Sequence, residues 1–567
     1  MAWKFRFLKR FVLSAGTLGV LTACGGSTRE AGGSPDATVP AQACVPGQQV
    51  ACACAGGGTA AQVCNAEGTA YGVCSGCGDA GAGGADAAVS MTGFDGGPGN
   101  ATDGGQPVEA GSDGDAAADA GTCATGTTTL TGTVYDPAGE NPVYDVVVYV
   151  PAGPLAPLAR GVETGAAACS CGALFPEALA VTTTDVQGRF TLTNVPVGGA
   201  VPIVIQTGKW RRQITTAVTA CSSNTVAGKL TLPGSVPAGD TDTSMPDIAV
   251  STGGADSLEC TLARIGIAAS EYVAGGSSAG HVHIFLGGDA AKGTGELNPM
   301  TGAPQSSTAL WDSPADLLKN DLVLFSCEGA ETANAVPANL ETYLNEGGRA
   351  LASHFHYAWF AGSVSQGYSA PSDWGANLAA WNLGDDVDTS VDGIVETTFT
   401  NSTAPFAKGL AFKQWLSDVG ALDAGASSNE LPIAEPRYNA SVTTQTASQS
   451  WLQADPSTGT SSTNGPTLQF SFDTPVASNA ACGRAVFSEI HAGAAAYDGV
   501  NCPANSSDGG GGTAVCTGHV AAAPPPAGCD TAHPLSPQEE ALEFTLFDLT
   551  SCPLVFAPPP PADAGLP

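Results

Sequence analysis

The chain has 567 residues, including 74 Gly and 39 Pro, so it is too long for one hydrophobic core and predicts several units with many loops and short strands. Its formal net charge is −34, from 53 acidic and 19 basic residues, and no Lys or Arg lies between Arg29 and Arg160 or after Arg484. This charge argues against nucleic-acid binding, because phosphates require a basic surface. We expect a solvated acidic surface instead.

The first residues predict export. Residues 1–23 comprise a basic segment and an apolar run from Phe11 to Ala23, which is shorter than the roughly 20 residues that span a bilayer. This pattern is typical of a secretory signal peptide. It ends with Leu21-Thr22-Ala23-Cys24, which resembles the lipobox of bacterial lipoproteins.

The lipobox resemblance implies cleavage before Cys24 and attachment of lipid to its sulfur; cleavage by ordinary signal peptidase is the alternative. Gly25 follows rather than Asp, so the usual bacterial signal for retention in the inner membrane is missing. Several acyl chains on one cysteine hold a protein firmly at a membrane surface. We therefore expect an exported protein anchored through Cys24 to the outer membrane or cell surface.

The 18 cysteines fit an oxidising compartment, where most thiols are paired. Without the lipidated Cys24 they number 17, and this odd count leaves one thiol or one intermolecular disulfide. Residues 44–78 contain six of them in a Gly-rich stretch with no apolar core, which predicts a small disulfide knot; a zinc site is the alternative. The tether at 24–43, the Gly/Ala/Asp linker at 79–122 and the Pro-rich tail at 556–567 are expected to be disordered.

Residues 123–250 alternate short β runs with Gly, Pro, Asp and Asn turns, which predicts a small β-sandwich. The segment TDVQGRFTLTNVP, from Thr184 to Pro196, resembles the carboxypeptidase regulatory-like domain, as does Gly132-x-Val134. The resemblance implies an immunoglobulin-like accessory module without catalysis, sometimes associated with carbohydrate. Its basic cluster, Lys209 to Arg212, is read as a charged edge strand or as a contact for anionic lipid or glycan.

Residues 251–555 alternate helical segments with apolar strands, which predicts a flavodoxin-like α/β domain with a parallel sheet covered on both faces. Ligands of such sheets bind beyond the carboxyl ends of the strands. Cys327 and Glu328 follow one predicted strand, and His354 and His356 follow the next. These side chains are therefore candidates for a shared site.

Three segments of this domain resemble the class I glutamine-amidotransferase-like fold, in particular its trehalose-utilisation-like branch. They read DLVLFSCEG from Asp321, GGRALASH from Gly347 and GRAVFSEIH from Gly483. The resemblance implies a nucleophilic Cys on a tight strand-to-helix turn, but the turn at 352–356 reads ASHFH, without Cys or flanking Gly. We expect neither a strained turn nor a glutamine-hydrolysing triad. The domain order also resembles that of predicted lipoproteins of myxobacteria.

Three pairs of residues have i, i+2 spacing: His281 with His283, His354 with His356, and Glu489 with His491. These pairs include five of the seven histidines, and their spacing places both side chains of a pair on one face of a strand. Imidazole and carboxylate groups that converge at strand ends predict a divalent-metal site, whereas separate, hydrogen-bonded histidines are the alternative. The candidate ligands are His281, His283, His354, His356, Glu489 and His491.

Two functions are consistent with these features. The first is a surface-tethered lipoprotein that binds an extracellular ligand, with carbohydrate as the candidate, through a catalytically degenerate amidotransferase-like domain. The candidate ligand-lining residues are Glu328, His354, His356 and Trp359. The alternative is an exported, metal-dependent hydrolase that uses His354, His356 and His491. Its candidate catalytic residues are Ser353, His491, Glu489 and Cys327, although Cys327 is also the residue we expect to be the unpaired thiol.

Overall fold

The structure is a computed structural model that describes residues 49–53, 59–63, 127–164, 178–253, 255–287, 305–383, 388–423, 430–459, 465–478, 482–492, 529 and 534–551. The predicted signal peptide, tether, linker and tail lie outside these residues. The described part is multidomain and mostly β, with one large mixed sheet and few helices. None of the described helices is long and apolar enough to cross a membrane.

Within the predicted Cys-rich knot, the structure describes only an antiparallel hairpin of β1 (Gln49–Ala53) and β2 (Thr59–Val63). The next domain contains two sheets of four described strands each, in the orders β10-β3-β6, with β9 also paired to β3, and β5-β4-β7-β8. Its strands are β3 (Thr129–Tyr135), β4 (Val147–Pro151), β5 (Ala178–Thr183), β6 (Arg189–Thr193), β7 (Gly198–Thr207), β8 (Trp210–Val218), β9 (Ser223–Thr225) and β10 (Leu230–Thr231).

The turn before β6 shows how the sequence builds this first β domain. Gly188 has a φ of 68°, and a Cβ there would lie 2.4 Å from the carbonyl oxygen of Val134, so this position requires glycine. Phe190, Leu192 and Val195 are buried in the core that both sheets share. The glycine at the turn and the three buried residues after it thus place β6 in the shared core.

The large sheet has ten described strands in the order β12-β13-β11-β14-β15-β22-β21-β20-β17-β18. The pairs from β12 to β22 are parallel, and the pairs from β22 to β18 are antiparallel. The strands are β11 (Ile248–Ser251), β12 (Tyr272–Ala274), β13 (Val282–Phe285), β14 (Leu322–Phe325), β15 (Arg349–Ser353), β17 (Ser390–Val395), β18 (Glu430–Ala434), β20 (Gln449–Ala454), β21 (Thr467–Thr474) and β22 (Gly483–Ser488). A separate pair joins β16 (Ala380–Trp381) and β19 (Ala440–Ser441).

Strand β11 lies inside the parallel half, so the large sheet begins at Ile248 rather than at the predicted boundary of 251. A short apolar run at the end of a β-rich segment looks like one more strand of the preceding domain. Only its parallel partners, β13 and β14, reveal that it belongs to the second domain.

The described helices are α1 (Leu258–Arg264), α2 (Thr308–Trp311), α3 (Pro314–Leu317), α4 (Pro337–Asn345), α5 (Tyr357–Ala361), α6 (Ala407–Val419) and α7 (Pro537–Thr550). Helix α7 begins with a capping box: the Ser536 side chain accepts from the backbone of Glu539, whose own side chain accepts from the backbone of Ser536. A disulfide joins Cys260 in α1 to Cys529, which precedes α7.

Helix α7 also packs against the first β domain. Phe544 stacks on Tyr144 with ring centroids 6.0 Å apart, and Phe547 meets the edge of Trp210 at 5.7 Å. Beside Trp210, Lys209 forms a 2.7 Å ion pair with Asp321 of the large-sheet domain. The basic cluster lies on an edge strand and contacts other parts of the same molecule. This placement favours its interpretation as a charged edge strand over a contact for lipid or glycan.

The same interface contains a pair of buried carboxyl groups. Asp136, after β3, is hydrogen-bonded to Glu543 of α7. The side-chain amide of Asn141 donates to Glu543 Oε2 at 2.7 Å. Burial raises the pKa of Asp136 from 3.8 to about 6, and burial together with the neighbouring Asp136 raises the pKa of Glu543 well above its ordinary value. The folded protein therefore favours a protonated form of this carboxyl pair, and the stability associated with Asp136 is lost as the pH rises from about 4 through about 6.

We expect the free energy of unfolding to fall by on the order of 1 kcal/mol from about pH 5 to about pH 7.5 through Asp136 alone. Asp136→Asn should remove this part of the pH dependence, whereas Asp312→Asn, at an exposed position, should not. Urea denaturation at the two pH values measures the effect. An unchanged pH dependence in Asp136→Asn would contradict the assignment.

Candidate functional site

Three buried side chains meet at the carboxyl ends of three neighbouring parallel strands. Cys327 lies just beyond β14, His354 directly follows β15, and His491 lies just beyond β22. One donor atom from each, a sulfur or a ring nitrogen, lies within 4.8 Å of the other two. Cys327 Sγ is 3.4 Å from His354 Nδ1, and the rings of His354 and His491 meet edge to face with centroids 5.3 Å apart. We call these three residues the Cys-His-His cluster.

Burial disfavours the charged forms of two members of the cluster, Cys327 and His491. It raises the pKa of the Cys327 thiol to about 12, so this cysteine is a protonated thiol at neutral pH. Burial also lowers the pKa of His491 well below its ordinary value, and the nearby His354 and Arg437 act in the same direction. A neutral imidazole keeps a nitrogen lone pair, and His491 Nε2 has no hydrogen-bond partner among the described residues. Cys327 and His491 are therefore uncharged donor groups, and Cys327 is not an activated nucleophile.

The sulfur is surrounded by backbone donors. The N–H of Gly329 points at Cys327 Sγ from 3.5 Å, and the N–H of Phe355 also donates to it. Such donors stabilise a thiolate more than a thiol, so they lower the thiol pKa against the effect of burial. Hydrogen bonds of this kind to a cysteine sulfur also tune metal–thiolate centres.

The turn that carries His354 is strained, contrary to the expectation from sequence. His354 has a φ of 40°, in the left-handed region, which costs a residue other than glycine roughly 1–2 kcal/mol. Absence of glycine suggested a relaxed turn, but the neighbouring hydrogen bonds impose this conformation. Ser353 Oγ donates to Asp256 Oδ2 at 2.6 Å and accepts from the N–H of Cys327 at 3.0 Å.

Asp256 was not recognised as a site residue from the sequence. In addition to Ser353, its carboxylate accepts from the backbone N–H groups of Ser257 and Ala492, both at 2.8 Å. Burial raises its pKa to about 7. Asp256 thus ties the end of β15 to the end of β22, directly behind His354 and His491. The available signal was an acidic residue a few positions after the apolar run of β11.

The Asp256 contact also bears on the candidate hydrolase pair of Ser353 and His491. The Ser353 hydroxyl donates to Asp256, and Ser353 is fully buried. This hydroxyl is therefore engaged by Asp256 rather than by the imidazole of His491.

His356 and Trp359 are core residues. His356 Nε2 donates to the carbonyl of Ser326 at 2.8 Å, its Nδ1 accepts from the hydroxyl of Thr332 at 2.9 Å, and burial lowers its pKa to about 4. Trp359 is 0% exposed and donates to Thr332. The i, i+2 spacing fails here because β15 ends at Ser353 and the chain continues as a 3₁₀ turn (His354–His356), in which alternate residues do not share a face.

The two predicted glutamates are buried beside the cluster but lie outside the three-donor group. Glu489 accepts from the N–H of Asn439 at 2.7 Å, and burial raises its pKa well above the ordinary value. Glu328 is 5% exposed and packs next to Gly287. Among the described residues, neither carboxylate joins the three donors of the cluster.

The remaining histidine pair lies at the opposite, amino edge of the sheet. His281 Nδ1 is 2.6 Å from Glu271 Oε2, and His283 Nε2 is 2.9 Å from Asp247 Oδ1. Although burial acts in the opposite direction, Arg160 and His283 lower the pKa of Asp247 to about 2. The structure therefore separates His281 and His283 from the Cys-His-His cluster.

No protein-family model matches the chain, and no curated protein matches it at a significant level. Among solved structures, a type II cohesin–X-dockerin complex from Acetivibrio cellulolyticus is similar over 23% of this chain and 79% of the matched chain. The two are 13% identical, with a TM-score of 0.13. This likeness is too low to support a conclusion about fold or function.

We expect the Cys327 thiol to react slowly in the native protein, because it is buried and its pKa is about 12. Titration with Ellman's reagent, before and after unfolding, should show one additional slow thiol relative to Cys327→Ser. Fast native labelling that disappears in Cys327→Ser would contradict the buried placement.

Ser353→Ala should lower the free energy of unfolding by about 1–3 kcal/mol, because it removes the buried hydroxyl that donates to Asp256 Oδ2 and accepts from the Cys327 N–H. Ser372→Ala, at an exposed position, is the matched control. Urea unfolding of both variants measures the difference, and equal stabilities would show that the Ser353 contacts contribute little.

Proposed function

We propose that this protein is an exported lipoprotein, held at the membrane by lipid on Cys24, that binds a metal ion through Cys327, His354 and His491. The observation that supports this function is the convergence of one sulfur and two ring nitrogens within 4.8 Å. The donors come from three strand ends, and the backbone donors around the sulfur suit a thiolate ligand.

The separation of Cys327 Sγ and His354 Nδ1 is compatible with coordination of one ion. With typical bonds of about 2.3 Å to sulfur and about 2.0 Å to nitrogen, the 3.4 Å separation of Cys327 Sγ and His354 Nδ1 corresponds to an angle of about 100° at the ion. Thiolate and imidazole ligands suit zinc and copper, whereas calcium and magnesium prefer oxygen ligands. The sequence predicts a divalent ion, and zinc suits this donor set.

We also propose that the large-sheet domain is a flavodoxin-like, amidotransferase-like domain. The order β13-β11-β14-β15-β22 supports this assignment: without the three-residue edge strand β12, these parallel strands numbered along the chain read 2-1-3-4-5, an order of doubly wound folds whose ligands bind at the carboxyl edge. His354, with its positive φ, occupies the turn where the amidotransferase-like resemblance places a nucleophilic Cys. For the first β domain, two sheets around a common core support a carboxypeptidase regulatory-like, immunoglobulin-like module.

The arrangement favours binding over hydrolysis. The Cys327 thiol is protonated at neutral pH, and the Ser353 hydroxyl is bound to Asp256, so neither candidate nucleophile is activated. A glycan ligand stays a prediction; the buried ring of Trp359 does not offer a surface for stacking on sugar.

Metal analysis of the purified mature chain tests this function. After loading with zinc or copper and removal of free ions, we expect about one ion per chain at this site. Cys327→Ala and His491→Ala should lose it, whereas His281→Ala, a histidine at the opposite edge, should keep it. Thermal unfolding confirms that each variant is folded. Equal metal content in the Cys327 and His491 variants would refute the proposal.

A further inference from the structure

We infer that Asp256 is the positioning residue of the proposed metal site, because its one carboxylate holds the main chain beside all three donors of the Cys-His-His cluster. This inference rests on the proposed metal-binding function and adds to it the residue that sets the geometry of the donors. Asp256 lies between β11 and α1 and is 1% exposed. Among the described residues it does not itself join the three donors.

One oxygen of the Asp256 carboxylate holds the main chain at His491. Its Oδ1 atom accepts from the backbone N–H of Ala492 at 2.8 Å, and Ala492 directly follows His491. The same oxygen accepts from the N–H of Ser257 at 2.8 Å, next to the start of α1. The peptide group that joins His491 to Ala492 is therefore fixed relative to the segment after β11.

The other oxygen reaches the remaining two donors through Ser353. The Ser353 hydroxyl donates to Asp256 Oδ2 at 2.6 Å and accepts from the N–H of Cys327 at 3.0 Å. Ser353 also directly precedes His354, so the same hydroxyl fixes the start of the turn that carries this ring. Ser353 and Cys327 are fully buried, so water does not compete for these hydrogen bonds.

The conformation of His354 makes such support necessary. Its φ of 40° is one that a residue other than glycine keeps only when its surroundings impose it. Relaxation of this turn would move the His354 ring relative to Cys327 Sγ, which is 3.4 Å from Nδ1. Metal–ligand bonds tolerate errors of only about 0.2 Å, so loss of the Asp256 contacts should weaken metal binding while the donors themselves stay in the chain.

An asparagine at position 256 separates positioning from charge. Its amide oxygen can accept from the same two backbone N–H groups, and its amide nitrogen can donate to Ser353 Oγ. The Ser353 hydroxyl then still accepts from the N–H of Cys327 and donates its proton to the carbonyl of Phe325, which is 3.3 Å away. Asp256→Asn therefore keeps the hydrogen bonds and removes the charge, whereas Asp256→Ala removes both.

Metal affinity of the full mature chain tests the inference. Under anaerobic, reducing conditions, each variant competes with a chromophoric chelator for Zn(II) in one series and for Cu(I) in another. For an ion that the parent chain binds, we expect Asp256→Ala to weaken binding about 10- to 100-fold. Asp256→Asn should stay within about threefold of the parent, because its hydrogen bonds are equivalent in number.

Asp247→Ala is the matched control, because Asp247 is also a buried carboxylate beside β11, but at the opposite, amino end of this strand. It should bind metal like the parent chain. Ser353→Ala is a second variant, which cuts the contacts toward Cys327 and His354 and leaves the bond to Ala492; it should weaken binding about 10-fold. Circular dichroism at the titration temperature verifies that each variant is folded.

The outcomes separate the inference from the proposed function. Parent-like affinity in the folded Asp256→Ala and Ser353→Ala variants would overturn the positioning role and leave the metal site intact. Equal losses in Asp256→Asn and Asp256→Ala would assign the effect to charge, and an equal loss in Asp247→Ala would assign it to general destabilisation; each would overturn the inference. Failure of the parent chain to bind either ion would refute the proposed function and the inference together.

Discussion

The common register of three parallel strands is the constraint on which the site depends. Strands β14, β15 and β22 are adjacent, and Phe325, Ala352 and Phe487 pair at one level of the sheet. Because the strands run in the same direction, the residues that follow them emerge at one edge, although β22 lies far from the other two along the chain. A shift of one strand by one residue would reverse which side chains face the core and would separate the donors.

The hydrogen bonds of Asp256 hold this edge together. A buried carboxylate is expensive to desolvate, and its cost is offset here by one hydroxyl and two backbone donors. These contacts connect the ends of β11, β15 and β22, so the strained turn at His354 is held by a network rather than by its own sequence. The same network explains why a turn without glycine still adopts a left-handed conformation.

Much of this arrangement is predictable from the sequence, but not all of it. Apolar strands β14 and β15 and the positions of Cys327 and His354 beyond them follow from the hydrophobic pattern, and a free thiol follows from the odd number of cysteines. The change from strand to 3₁₀ turn after Ser353 has no local signal, so His356 was placed on the wrong face. The rest depends on partners that are distant in the sequence. Strand β11 can be assigned to the large sheet only when its partners β13 and β14 are known. The role of Asp256 can be recognised only when the positions of Ser353 and Ala492 are known.

Helix α7 and strand β22 have a consequence for how the protein matures. Strand β22 joins the parallel half of the large sheet to its antiparallel half, and α7 packs against both this sheet and the first β domain. Both elements, and the cysteine that closes the bond to Cys260, lie near the end of the chain. Since non-local pairing must wait for its late partners, neither the sheet nor its edge is complete until these late segments of the chain have been synthesised. The large sheet is therefore completed late in folding, and its earlier strands keep unpaired edges until the final segment is available.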